Sequence, residues 1–152
     1  MTAKDLLNPH PVTITMEETF GGALEILLER HIRALPVLDS AGIYRGMFYL
    51  YDLWELLLPK AATIEGAITD LSFMPGSVEE LREKVLEAGP RPVTQFLKDK
   101  EAPAIHPETS IKEAILMLYH HDGVLPVVEK KTRRFLGILT PWEILNRLRD
   151  KG

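Results

Sequence analysis

The chain has 152 residues, 45% of them hydrophobic, enough for one ordinary core or for two small subdomains that share an interface. Cysteine is absent, which excludes disulfides, thiolate nucleophiles and Cys-based zinc sites. A net charge of -4 gives no overall footprint for a phosphate backbone, and no apolar run approaches the roughly 18–20 residues of a membrane span. With no basic-then-apolar leader in "MTAKDLLNPHP", the reading is a soluble cytoplasmic chain without nucleic-acid or membrane partners.

The first clear element is a helix, because Phe20, Ala23, Leu24 and Leu27 carry the i, i+3, i+4, i+7 spacing of one apolar face. Gly21 and Gly22 occupy its opening turn and weaken it locally. Two short apolar runs follow, "ALPVL" and "YRGMFYL", separated by the polar turn 39–42, and they predict a strand hairpin. A second helix is expected over 52–58.

From 59 to 92 the pattern changes. Ile64, Ala67, Ile68 and Leu71 suit a helical turn or two before a break at Met74-Pro75-Gly76. Ser77 with Glu80 then caps a helix over 78–88, which Gly89 and Pro90 end. Beyond Ile105, Ser110 with Glu113 forms a capping box for a helix whose apolar stripe is Ile111, Ala114, Ile115 and Leu118. "VLPVV" and "FLGILT" make a second hairpin around the turn 129–134, whose basic run "KKTRR" reads as solvated. The last helix is expected over 142–149. Thr140 and Glu143 form its capping box and Pro141 sits at its first position, although the same Thr and Glu are also candidates to hold a ligand.

These elements repeat. Ile14, Glu17, Ala23 and Gly46 recur 91 positions later as Ile105, Glu108, Ala114 and Gly137, and Leu35-Pro36-Val37 recurs 90 later as Leu125-Pro126-Val127. Slips of one residue confined to connections are what duplication of a folded unit leaves. Each copy reads strand, helix, strand, strand, helix, an α+β unit with helices packed on a small sheet. The expected division is a first repeat over 1–58, a helical insert over 59–92 and a second repeat over 93–152.

The ordered pair "LPVLD" then "GMFYLYDL", and again "LPVVE" then "GILTPWEI", resembles the CBS domain pair, the family named after cystathionine beta-synthase. That resemblance implies two pseudo-symmetric repeats packed through their sheets, with two clefts between them. It further implies homodimers, adenosine-containing ligands such as AMP, ADP, ATP or S-adenosylmethionine, and regulation of a separate effector protein without catalysis or a resident cofactor. The alternative it leaves open is a dimerisation scaffold whose clefts are filled by its own side chains.

Carried over residue by residue, the resemblance places a phosphate-touching hydroxyl and a ribose-binding acid after each last strand. Copy one supplies Tyr49 and Asp52, and copy two supplies Thr140 and Glu143. Adenine would lie against Thr13, Ile14 and Ala34 in one cleft and Ala104, Ile105 and Val124 in the other, with Arg45 and Arg133 within reach of phosphate. Asp52 is the stronger ribose candidate. His120-His121-Asp122 is not read as a metal site, because neighbouring helical residues do not face each other. Trp54 and Trp142 read as packing or interface residues. Gly-rich phosphate loops, Ser-centred nucleophile motifs and zinc-protease helices are absent.

Overall fold

The computed structural model describes residues 1–58, 77–97, 104–121 and 123–150. A short helix, α1 (Ala3–Leu6), precedes the first repeat, which runs β1 (Ile14–Thr15), α2 (Phe20–Arg30), β2 (Ala34–Leu38), β3 (Tyr44–Tyr49) and α3 (Leu53–Leu57). Next come α4 (Val78–Ala88) and then the second repeat, α5 (Ile111–His120), β4 (Leu125–Val128), β5 (Phe135–Leu139) and α6 (Pro141–Arg149). In place of a named first strand, the second repeat has Ile105 in a single parallel bridge to Val127, equivalent to the pairing of Ile14 with Val37. The expected turns at 64–71 and the break at 74–76 lie outside the described residues. No helix among the described residues is long and apolar enough to cross a membrane.

The two hairpins share a register irregularity as well as a topology. β2 pairs antiparallel with β3 and β4 with β5, each ladder shifting after Val37 or Val127, opposite Gly46 or Gly137. Capping explains where the following helices begin. Thr140 caps α6 through its side chain, so the helix starts at once with Pro141. Tyr49 provides no side-chain cap, and the first repeat enters α3 through a 3-10 turn, Leu50–Asp52.

Each hydrophobic core borrows from the other half of the chain. Ile14, Phe20, Ala23, Leu27, Leu35, Val37 and Phe48 form the first core together with Ala88 and Val93. Ile105, Ala114, Leu125, Val127, Leu139 and Ile144 form the second together with Ala3. Backbone hydrogen bonds pin both crossings: Ala3 N–H donates to Thr109 at 2.8 Å, and Phe20 N–H donates to Arg91 at 2.9 Å. Part of the expected insert, α4 and the turn after it, is therefore joined to the first core. Gly21, expected to weaken α2, permits this junction, since a Cβ there would lie 3.2 Å from the Gly89 carbonyl oxygen.

A third cluster, Ala34, Tyr44, Met47 and Val128, joins the repeats. Around it, Tyr44 N–H donates to Arg133 at 3.1 Å, Phe135 N–H donates to Gly42 at 3.0 Å, and the Tyr44 and Phe135 rings stack at 6.2 Å.

Candidate functional site: a cleft between the repeats

The segment leading into the first repeat runs over the second before it turns back. Asn8 and Ile138 exchange a reciprocal pair of backbone hydrogen bonds, 2.8 Å from the Asn8 N–H and 3.0 Å from the Ile138 N–H. Glycine at 137 makes this approach possible, because a Cβ there would lie 2.2 Å from the Asn8 carbonyl oxygen. The "G-apolar-apolar" motif at the end of each hairpin thus has a packing cause in the second copy.

Behind that crossing opens a cleft of about 570 Å³, a size suited to a small ligand. One wall is Asn8, His10, Pro11 and Val12. The second, from the end of α2 into β2, is His31, Ile32, Arg33 and Ala34; the third is Gly123, Val124, Ile138, Thr140, Pro141 and Trp142. His31 ends α2 in the left-handed conformation, φ 52°, and so turns the chain sharply towards Arg33 and Ala34.

Thr140 is buried where β5 meets α6, on the cleft wall. Its Oγ1 accepts from the Trp142 N–H at 3.2 Å, its hydroxyl donates to the Glu143 carboxylate, and that carboxylate also accepts from the Thr140 N–H at 2.8 Å. The cap therefore uses the hydroxyl proton and holds Glu143 on the helix, and Glu143 does not line the cleft.

Of the residues singled out in the sequence, the cleft brings together Ala34, Val124 and Thr140. Thr13 is exposed, while Ile14 and Ile105 are interior residues of the first and second cores. Arg45 is held by Asp39, with contacts of 2.8 and 2.9 Å from its guanidinium. Arg133 lies in the exposed basic turn with φ 63°.

Tyr49, Ala104 and Val124 pack against the inter-repeat cluster. A Tyr49 ring carbon lies 3.9 Å from where a Cβ at Gly123 would stand. Burial, and secondarily the negative charge of Asp52, pushes the Tyr49 phenol above its ordinary pKa. The bulk of Tyr49 thus occupies space between the repeats. Asp52 ends the 3-10 turn and does not line the described cleft.

Sequence reasoning missed the Pro-rich stretch from Asn8 to Val12, the α2 terminus and the rim at Trp142. Pairing by the repeat places Gly123 opposite Arg33, and both line the cleft, so the internal alignment held a usable signal. Trp142 is 74% exposed at the cleft rim, and its ring is not packed into a core. No cluster of three or more metal-ligating side chains occurs among the described residues; Asp122 lies outside them.

Comparison with known proteins gives the same architecture. A CBS domain-containing protein of Bacillus anthracis matches with 21% identity and TM-score 0.73, covering 100% of this chain and 95% of that one. CBSX2 of Arabidopsis thaliana, solved in complex with AMP, matches with 21% identity and TM-score 0.69, covering 97% and 95%. The CBS domain pair of protein MJ0100, solved with 5′-methylthioadenosine and S-adenosyl-L-methionine, matches with 17% identity and TM-score 0.63, covering 97% and 95%. The CBS domain family itself matches twice, over residues 3–53 and 93–150, and the chain therefore belongs to that family as a tandem CBS pair.

Proposed function

We propose that this CBS pair is a regulatory module that senses an adenosine-containing compound bound in the cleft between its repeats. The observation that carries the reading is the cleft's construction from both repeats, with apolar walls at Val12, Ala34, Val124 and Ile138 beside the polar Thr140. A flat base fits between such walls, with specificity from backbone groups. Two similar structures hold adenosine compounds, which supports the ligand class.

A ligand in this cleft touches 31–34 of the first repeat and 140–142 of the second at once. It therefore favours one angle between the repeats and changes the affinity of an effector chain, a population shift with no chemical step. Tyr49 occupies inter-repeat space, which favours one ligand per chain and leaves the self-filled reading to that side. Self-association has its own support: exposed apolar side chains fall at matching helical positions, Leu28 with Tyr119, Tyr51 with Trp142 and Trp54 with Leu145. Such repeated faces suit an isologous homodimer.

Thermal unfolding with AMP, ADP, ATP, adenosine and S-adenosylmethionine tests the reading. A ligand at about 100 times its Kd stabilises by about 2.7 kcal/mol, which raises Tm by roughly 5–10 °C for a chain of this size. Val124→Phe, which fills the cleft, is expected to abolish the shift. A flat melting temperature with all five compounds would defeat the proposal.

A further inference from the structure

Arg33 is the charged side chain on the cleft's walls, His10 and His31 also line it, and no Asp or Glu is among the described residues that do. Glu143, the acid nearest in sequence to the Thr140 wall, does not line the cleft, and its carboxylate is held by both the N–H and the hydroxyl of Thr140. Arg33 is exposed beside the buried Ala34, so its charge sits at the rim of the apolar pocket. The Thr140 hydroxyl proton is committed to Glu143, so Arg33 is the charged donor that the described walls offer an anion.

We infer that the cleft selects phosphorylated adenosine compounds over cationic ones, with Arg33 as the specificity-determining residue and His10 and His31 adding donors. The inference rests on the proposed adenosine site and narrows its ligand class. A nucleoside phosphate carries about -1.5 to -2 charges at neutral pH, and a guanidinium meets it with two parallel N–H donors. S-adenosylmethionine carries a sulfonium and an ammonium against a single carboxylate. Its net positive charge meets Arg33 with no acid among the described lining residues to offset the repulsion.

Trp142 supplies the readout. The chain contains two tryptophans, and Trp54 does not line the cleft, so Trp54→Phe leaves a single reporter at the rim. Fluorescence titration of that protein with AMP, adenosine and S-adenosylmethionine is expected to rank them in that order of affinity. Arg33→Gln should weaken AMP by about tenfold or more, the scale of a lost charged hydrogen bond, and weaken adenosine much less. Added salt should narrow the gap between AMP and adenosine.

If S-adenosylmethionine binds as tightly as AMP, or Arg33→Gln weakens AMP and adenosine equally, the charge selection is wrong while the adenosine site stands. If none of the three compounds binds, as judged by fluorescence and confirmed by calorimetry, the site reading fails and the selection fails with it.

Discussion

Replacing Gly137 with Ala drives a methyl group into the crossing that forms the cleft. The added Cβ would lie 2.2 Å from the Asn8 carbonyl oxygen and 2.8 Å from the Leu7 Cδ1, where ordinary contact begins at 3.4 Å. The leading segment must therefore retreat by about an ångström, which breaks the Asn8–Ile138 pair of hydrogen bonds at 2.8 and 3.0 Å. Two such bonds contribute about 1–3 kcal/mol. Overpacking adds about 1–3 kcal/mol, for a total near 2–6 kcal/mol and a Tm lowered by roughly 4–24 °C. Chemical and thermal denaturation measure it directly. Gly42→Ala is the control: it shares a positive φ, 80° against 156° at Gly137, but nothing lies within 4 Å of the new Cβ, so only backbone strain of about 1–2 kcal/mol is expected. If Gly137→Ala proves milder than Gly42→Ala, the close approach is not what demands glycine at 137.

Thr140→Ala should cost about 0.5–2 kcal/mol through the lost cap, with Thr140→Ser close to wild type in the same denaturant titration. Phe20→Ala should cost about 3–5 kcal/mol, because the ring is buried against Phe48 and Phe96, with centroids at 5.8 and 4.6 Å. The Asp39 carboxyl is held below its ordinary value first by the Ile43 N–H, against the opposing effect of burial, and further by Arg45 and the Ala41 N–H. Its stabilising contribution is thus complete above the unfolded value near 3.8 and lost as pH falls through the lower folded one, so Asp39→Asn should flatten part of the acid limb of stability against pH. Tyr49 shows the opposite sign, with stability complete below the ordinary tyrosine range and lost as pH rises through the raised folded value. An ultraviolet titration that shows a late-ionising tyrosine, absent in Tyr49→Phe, checks it.

Local chemistry made most elements legible. Ser77, Ser110 and Thr140 announced α4, α5 and α6 because a cap is a short-range device, and the structure shows all three side chains accepting from backbone N–H groups. The repeat exposed both hairpins for the same reason: matched apolar positions survive in order. The crossing of Ala3 into one core and of Ala88 and Val93 into the other was not legible. Those contacts join residues far apart in the chain, and nothing in the local pattern of "TAKDLL" says which sheet it meets. The site suffered accordingly. Ile14 and Ile105 have the periodicity of strand residues, which does not distinguish a core face from a cleft face, whereas His10 reaches the cleft through the leading segment that crosses the second repeat and Arg33 through the turn at His31. Trp142, read from the sequence as a packing or interface residue, stands exposed at the rim.

Amide chemical-shift mapping with AMP, recorded on the 15N-labelled protein, reads binding in the cleft residue by residue. Saturable shifts are expected at 8–12, 31–34, 123–124 and 140–142, on both sides of one cleft and at one ligand per chain. Absence of saturable shifts, or shifts centred on Tyr49 and Asp52 with none at Thr140 and Trp142, would contradict it.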